Sequence, residues 1–508
     1  MSRIAIVFGL FVHCSLAYED DYLAAHLKEK ISMLQDEVSM SLGGRMRLTN
    51  AEMQANDTLM YWKHKEIDDA FIDLRSFELY KHYFQYKNGI ENSNVYKIIR
   101  HMPKGAALHV HGSALMDADY FMNLTYHDDL YVCSWEGNMR FRFSYDIPDK
   151  PCPTVWQPMA EVRKASVDVA AFDRSLRSRF TLYTDEENEL EADINTVWNR
   201  FEDVYGHMSQ MLRCRPIRER YIYDALKKFY DENVMYLELR NGLHPLYELD
   251  GSEHDSMYTA RLYQKVVDRF TQTYPDFVGV KFIYTTNRAK NVTQIRKAIE
   301  TAKRLKTEMP DLFAGFDLVG QEDLGNSLTE FLPVLAAARN ELDYFFHAGE
   351  TNWSGTASDE NLFDAVLLGA KRIGHGYALL KHPTLMEKVK RDNIAIEVNL
   401  VSNTVLSLVR DVRNHPLAAF LAQDLPVVLS SDDPGVWESD SLSHDFYVAF
   451  MGVASRRADL RMLKQLAVNS IHYSAMSGLQ KIRALATFNI KWDHFINVFM
   501  KSFPKGIV

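Results

Sequence analysis

Eight short apolar runs are the feature of this chain that most restricts its fold. From the second onward they recur about every 25 to 45 residues, which is enough for one strand, one helix and two loops. Near-continuous apolar runs are typical of parallel strands that are covered on both faces. Eight such units predict an α/β fold of the (β/α)8 barrel type. The runs are AALHV (106–110), VMYLELR (234–240), GVKFIY (279–284), AGFDLVG (314–320), DYFFHAGE (343–350), RIGHG (372–376), IAIEVN (394–399) and PVVLSSDDP (426–434).

Polar side chains are concentrated at the C-terminal ends of these runs. Barrel enzymes carry their chemistry on the rim formed by those ends, so this distribution predicts a functional site there. The residues concerned are His109 and His111, Glu238 and Arg240, Gly320 and Glu322, His347 and Glu350, His375, and Asp432 and Asp433.

The first run ends in the sequence HVH. Because side chains alternate faces along a strand, His109 and His111 point the same way. Together with His347 and Asp432 they form a ligand set that suits Zn²⁺ and leaves room for a water molecule. Glu350, three residues beyond His347, is close enough to exchange a proton with a substrate.

Each of these residues also has a structural interpretation. His347 could be a core histidine, and His375 could belong to a tight turn between two glycines. Asp432 and Asp433 precede a proline and could cap a helix. The ordered combination at four strand ends favours a site, in which His375 orients water and Asp433 faces a substrate.

The gap between the first and second runs exceeds 120 residues, several times the usual spacing. It predicts an inserted subdomain at 127–183. If the chain is exported, removal of an N-terminal signal peptide also removes Cys14, and two of the three remaining cysteines can pair. Cys133 and Cys152 bracket what reads as a small folded loop, so we expect them to form a disulfide. Cys214 is then expected to be a buried thiol.

The N-terminus, MSRIAIVFGLFVHCSLAYEDD, predicts a signal peptide at 1–17 and therefore a secreted protein. Four Asn-x-Ser/Thr sequons agree with secretion, and no other uncharged apolar stretch of about 18 residues predicts membrane insertion. A net charge of −10 and a pI near 6.0 argue against nucleic-acid binding. The basic stretch RCRPIRER is either a solvated helix face or a patch for polyanionic glycans.

A helical extension is predicted at 18–100. Within it, leucine, isoleucine and valine side chains recur every three or four residues and form one apolar stripe, which the pair Gly43–Gly44 ends. The stripe either packs on the protein's own body or forms a dimer contact. Its members are Leu23, Leu27, Ile31, Leu34, Val38 and Leu42.

The ordered motifs HVH, FDLVGQE, FFHAGET, RIGHG and SSDDP resemble those of the adenosine/AMP deaminase family. The signal peptide, the extension and the insertion resemble its secreted branch, the adenosine deaminase-related growth factors. The resemblance implies a metal-dependent hydrolase barrel over 101–508 that converts adenosine and 2′-deoxyadenosine to inosine products and ammonia. It also implies a homodimer, and an insertion that contacts a cell-surface receptor; a glycosaminoglycan is the partner expected if the basic stretch is a glycan patch.

The resemblance also implies a role for each matching residue. The zinc ligands would be His109, His111, His347 and Asp432. Glu350 would protonate the purine N1, and His375 would orient the attacking hydroxide. Asp433 would bind N7, the backbone N–H of Gly320 would bind N3, and Trp198 and His254 would lie beside the ribose.

Two departures and two alternatives accompany this interpretation. Relatives commonly carry an acidic sugar contact just after the second histidine, whereas Gly112 and Ser113 stand here. Asn399 stands where secreted relatives often carry cysteine.

The main alternative function is an extracellular growth factor or receptor ligand that does not need catalysis. An AMP deaminase is the other alternative, although no basic cluster for a phosphate accompanies the motifs.

Overall fold

The structure is a computed structural model that describes residues 19–73 and 78–502. The predicted signal peptide, 1–17, lies outside the described residues. Among the helices that the structure describes, none combines the length and the apolar character needed to cross a bilayer.

The eight predicted runs form the strands of a closed barrel. They build two four-stranded parallel sheets, and single parallel bridges join these at both seams, Phe316 to Tyr344 and Val110 to Asp432. The predicted (β/α)8 barrel is therefore confirmed. In chain order the strands are Gly105–His111, Val234–Asn241, Gly279–Asn287, Phe313–Val319, His347–Ala348, Arg372–His375, Ala395–Val398 and Val427–Leu429.

Helices connect the strands and cover the barrel. Several begin at side chains that accept a backbone N–H, such as Asn291, which forms a capping box with Gln294. Their apolar faces bury residues such as Ile295 and Ile299. The helices between and after the strands are Arg215–Asp231, Ser256–Thr273, Val292–Glu308, Leu328–Ala338, Ala357–Leu367, Pro383–Arg391, Leu400–Val405, Leu417–Ala422, Ser443–Val448, Leu460–His472 and Gly478–Ser502.

Before the barrel, the described residues form four helices: Glu19–Met40, Asn50–Ile72, Tyr83–Ile90 and Asn94–His101. The second is fixed by buried polar groups. Lys63 donates to the carbonyls of Ser455 and Ala458, and Glu52 accepts from Trp492 and Lys464. The apolar stripe of the first helix is only partly covered. Leu42 is buried, whereas Leu23, Leu27 and Ile31 are exposed.

The long connection after the first strand contains a small antiparallel sheet. In this sheet Leu130–Trp135 lies between Asn138–Phe143 and Gln157–Pro158. The disulfide Cys133–Cys152 is present as predicted, and Cys214 is a buried thiol. The helices of this connection are Ala118–Leu124, Met159–Ala165, Val169–Arg177, Glu187–Leu190 and Ile194–Met211.

Candidate active site

Four side chains meet at the C-terminal end of the barrel. His109 and His111 come from the first strand, His347 begins the fifth, and Asp432 follows the eighth. Each offers one ligand atom, and the four atoms lie within 4.8 Å of one another. His111 Nε2 lies 3.0 Å from Asp432 Oδ1, and His109 Nε2 lies 3.3 Å from the same oxygen. The structure therefore brings together the four residues predicted as metal ligands.

Two buried carboxylates fix the protons of two of these histidines. Glu397 accepts from His109 Nδ1 at 2.8 Å, and Asp317 accepts from His347 Nδ1 at 2.6 Å. With Nδ1 as the donor, the lone pair of each ring lies on Nε2, and the two Nε2 atoms are only 3.0 Å apart. Two facing lone pairs at this distance repel each other unless a cation lies between them. The donor set thus fits a metal ion.

Asp432 supports the same conclusion. Its Oδ1 is buried without a hydrogen-bond donor assigned to it, while Ser402 Oγ donates to its Oδ2 at 2.7 Å. The backbone φ of Asp432 is +59°, and that of His375 is also +59°. Left-handed backbone is unfavourable for such residues, so the surrounding fold holds both of them in strained positions.

Burial keeps the ligand set in its binding form. Burial lowers the pKa of His347 to about 3, so this ring is neutral. For Asp432, burial alone raises the pKa. The close contacts of its Oδ1 with His109 and His111 outweigh burial and hold the pKa of Asp432 well below its usual value. Neutral imidazoles and an ionised carboxylate are the forms that bind a metal.

A network of buried charges lies beneath these ligands. Arg240 donates to both Asp317 and Glu397, and Arg372 donates to Glu397 and Glu238. The sequence grouped Glu238 and Arg240 with the rim residues. Arg240 does lie at the C-terminal end of its strand, level with His111, but neither residue lines the cavity above the ligands. Both are fully buried inside the barrel, where they pair with charges from other strands and support the ligands from below.

Glu350 is buried beside the ligand cluster. Burial raises the pKa of its carboxyl well above the usual value, and the charges of Asp432 and Glu322 raise it further. Glu322 also accepts from the backbone N–H groups of Gly349 and Glu350, at 3.0 and 2.7 Å, and thereby fixes the turn that carries Glu350. Because Glu350 Oε1 has no hydrogen-bond partner, its proton is free for a substrate.

His375 lies between Glu350 and Asp432. Its Nδ1 is 3.5 Å from Glu350 Oε1, and its Nε2 is 3.6 Å from Asp432 Oδ2. Burial lowers the pKa of His375 well below its usual value, so the ring is neutral.

The pKa of Asp433 is shifted in the opposite direction from that of Asp432. Burial and the charge of Asp432 raise the pKa of Asp433 well above its usual value, so this carboxyl carries a proton.

A cavity of about 300 Å³ opens above the cluster, large enough for a nucleoside-sized ligand. Trp198, Gly320 and Asp433 line it together with His111, His347 and Asp432, so these three predicted contacts lie at one site. The sequence did not identify several other lining residues, because they come from a loop-connected helix and from strand ends without charged groups. They are Phe201, Glu202, Tyr205, Thr285, Asn287 and Leu406.

The structure does not bring His254 to this cavity. Its ring stacks on Tyr258 and its Nε2 binds Glu248, in a two-stranded hairpin away from the lining residues. The basic stretch at 213–220 does not present all four of its arginines as free cations. Arg218 is buried, and Arg215 is paired with Glu248.

Comparisons with known proteins agree with this geometry. The family model described as "Adenosine deaminase" matches residues 178–488, and the one described as "Adenosine/AMP deaminase N-terminal" matches residues 6–99. The chain is 42% identical to adenosine deaminase 2 of Pongo abelii over 91% of its own length and 92% of that protein. It is 41% identical to an adenosine deaminase of Aedes albopictus, over 94% and 90% of the two chains.

A solved structure shares the fold at much lower sequence identity. An amidohydrolase from Burkholderia ambifaria with bound zinc aligns with a TM-score of 0.55 at 17% identity, covering 80% of this chain and 95% of that one. This likeness supports the barrel, while the family assignment rests on the full-length relatives. The chain therefore belongs to the adenosine deaminase family, in the branch of adenosine deaminase 2.

Proposed function

We propose that this protein is a secreted, zinc-dependent adenosine deaminase. It hydrolyses adenosine and 2′-deoxyadenosine to inosine or 2′-deoxyinosine and ammonia, and so lowers extracellular adenosine. One observation carries this proposal. Two histidine lone pairs with fixed orientation converge beside a buried carboxyl group that holds a proton. Such a site can bind a metal and protonate a substrate at adjacent positions.

A zinc ion bound by His109, His111, His347 and Asp432 supplies a Lewis acid that makes water nucleophilic near neutral pH. Glu350 gives its proton to the purine N1, which draws electrons away from C6. The water oxygen forms a bond to C6 as the exocyclic C–N bond breaks. One proton of the water replaces the proton that Glu350 gave to N1, and the other goes to the departing amino group, which leaves as ammonia. His375 hydrogen-bonds to the attacking oxygen and orients it.

The raised pKa of Asp433 suits this carboxyl group to donate a hydrogen bond to N7 of the purine. N7 of adenine is an acceptor only, and a protonated carboxyl group can donate to it. Gly320 has a φ of +100°, and a Cβ at this position would lie 3.0 Å from Asn287 Nδ2. Glycine therefore leaves its backbone N–H accessible for N3 of the purine.

Nucleosides fit the site better than nucleotides. Among the described residues that line the cavity there is no lysine or arginine, and Glu202 adds a negative charge. A phosphate group would therefore meet no cation in the cavity wall. The family's acidic sugar contact is replaced by Gly112, so Glu202 and Trp198 are the groups that we propose for the sugar side.

Loss of adenosine absorbance on deamination tests the function directly. The zinc-loaded wild type should convert adenosine and leave AMP nearly unchanged. Removing the proton donor with Glu350→Gln should lower kcat by about 10²–10⁴-fold, the usual contribution of a general acid. Full activity of this variant would contradict the proposed role of Glu350. Equal turnover of AMP would favour a nucleotide deaminase.

We also propose that the first helix forms a homodimer contact. Leu23, Leu27 and Ile31 lie exposed on one face of Glu19–Met40, without a partner among the described residues. Exposed apolar stripes of this kind commonly mark protein–protein contacts. Pairing of this face with a second copy would cover it.

The inserted region is the proposed site of growth-factor activity, through a receptor or a glycosaminoglycan. Large apolar side chains at Tyr145, Ile147 and Val155 are exposed there. A nearby cavity of about 470 Å³ is lined by Arg140, Arg142, Arg213 and Lys150, the last paired with Glu253 of the same lining. Its excess of positive charge supports binding of an acidic glycan. Equal stimulation of cells by wild type and Glu350→Gln would show a signalling role that is independent of catalysis.

Secretion is supported by the disulfide and by three exposed sequons, those of Asn123, Asn291 and Asn352. The fourth sequon is less accessible in the folded chain. The Asn56 side chain binds Asp459 and accepts from the backbone N–H of Leu460. Release of the processed chain into the medium of expressing cells, with glycan on the exposed sites, would test this assignment.

A further inference from the structure

A chain of hydrogen bonds connects His375 to a short helix outside the ligand cluster. The backbone N–H of Leu417 donates to His415 Nδ1 at 3.0 Å. His415 Nε2 lies 2.9 Å from Asn403 Oδ1, and Asn403 Nδ2 lies 3.0 Å from His375 Nδ1. The side chains of His415, Asn403 and His375 are all buried.

This chain has only one consistent direction. A backbone N–H can only donate, so His415 Nδ1 must be the acceptor. Burial lowers the pKa of His415 to about 3, and the neutral ring then carries its proton on Nε2. That N–H donates to Asn403 Oδ1, which turns the amide NH2 group toward His375. His375 Nδ1 must therefore accept.

The surroundings of His375 agree with this direction. With Nδ1 accepting, a neutral ring carries its proton on Nε2, and Nε2 lies 3.6 Å from an acceptor, Asp432 Oδ2. Asn399 Nδ2 lies 3.5 Å from Nε2, and exchanging the oxygen and nitrogen of this amide would let its unpaired Oδ1 accept as well.

We propose that Asn403 and His415 are positioning residues that hold His375 as the tautomer with its proton on Nε2. His375 then approaches the reaction as a hydrogen-bond donor to the attacking oxygen, and not as a base that removes its proton. This inference rests on the proposed function of the site. It extends that function to two residues outside the lining of the substrate cavity.

The substitution Asn403→Asp tests the direction with almost no change in shape. A carboxylate can still accept from His415, but it cannot donate to His375 Nδ1. The proton of His375 should then move to Nδ1 and leave a lone pair facing the attacking oxygen. The turn itself should survive, because its hydrogen bonds from Leu408 and Val409 go to the backbone carbonyl of Asn403.

Loss of one preorganised donor should lower kcat about 10²–10³-fold. KM and bound zinc should stay near the wild-type values. Calorimetry adds a readout that does not depend on turnover. A purine ribonucleoside analogue with a hydroxyl on a tetrahedral C6 should lose affinity by a similar factor, whereas the planar product inosine should not. Equal losses for both ligands, or loss of zinc, would indicate a merely structural role and overturn the proposal.

His415 offers a matched pair of substitutions. His415→Gln and His415→Leu both lose the bond from Leu417, but only glutamine keeps an N–H that can donate to Asn403. We expect kcat of the glutamine variant to lie within a few fold of wild type. The kcat of the leucine variant should be lower by a further factor of about ten or more, because one buried hydrogen bond is lost. Equal activities of the two variants would contradict the proposed chain.

The wild type provides a test that does not depend on variant folding. Nitrogen-15 NMR of histidine-labelled, zinc-loaded protein, with the His375 signal assigned from His375→Gln, distinguishes the two tautomers. A proton on Nε2 supports the proposal, and a proton on Nδ1 overturns it. Absence of adenosine turnover in wild type would refute the proposed function instead, so the two failures are distinguishable.

Discussion

The tautomer of His347 depends on one buried carboxylate, and changing that carboxylate should weaken metal binding. Asp317 accepts from His347 Nδ1 at 2.6 Å and from the backbone N–H of His347 at 2.8 Å. In Asp317→Asn the shape is kept, but the negative charge that favours the Nε2 lone pair is lost. Loss of such a partner typically lowers metal affinity 10- to 100-fold, or about 1.4–2.7 kcal/mol.

Competition with a chromophoric chelator measures this change at fixed pH. The exposed Asp311→Asn, two residues before the same strand begins, provides a matched control and should bind zinc like wild type. Arg240 keeps Glu397 at 2.6 Å when Asp317 loses its charge, so we expect the fold to survive. A zinc affinity of Asp317→Asn within twofold of wild type would refute the reasoning about the tautomer.

Three further results are expected. Gly374→Ala should lower zinc affinity, measured with the same chelator, because its Cβ would lie 2.9 Å from the ring of His109; unchanged affinity would show that the ring can move freely. Leu27→Asp combined with Ile31→Asp should give monomers in sedimentation, and a persisting dimer would exclude this helix as the contact. Burial lowers the pKa of His444 to about 4. Since the unfolded chain binds a proton there near pH 6.5, the free energy of unfolding should fall by about 3 kcal/mol as pH drops from 6.5 to 4. Denaturant titrations should show a flatter dependence on pH in His444→Gln, and an identical slope would contradict this assignment.

Much of the barrel and its metal ligands could be predicted because their signals are local. The strands are apolar runs, and the ligands follow a fixed position at the ends of these runs. The two carboxylates that hold the histidine rings also have a recognisable pattern in the sequence. Asp317 and Glu397 are single acids inside otherwise apolar strands, and an acid there needs a buried partner.

The errors have a common physical origin. The sequence gives the strand on which Arg240 lies, but not the depth at which it meets charges from other strands. His254 is placed by a hairpin whose two short strands carry no strong pattern. The link between Asn403 and His415 depends on side-chain orientation in a short helix and the loop after it, and no periodicity in the sequence encodes it.

One seam of the barrel coincides with the ligand cluster, and this gives bound metal a second consequence. The backbone of His111 donates to Asp432, and the backbone of Asp432 donates to His109, where the first and last strands meet. An ion bound by these residues would link the first strand to the segment after the last strand and oppose their separation. Metal-free protein should therefore exchange its amide hydrogens faster along this seam than along the Phe316–Tyr344 seam. Removal of the ion should therefore lower the stability of this seam as well as the activity of the site.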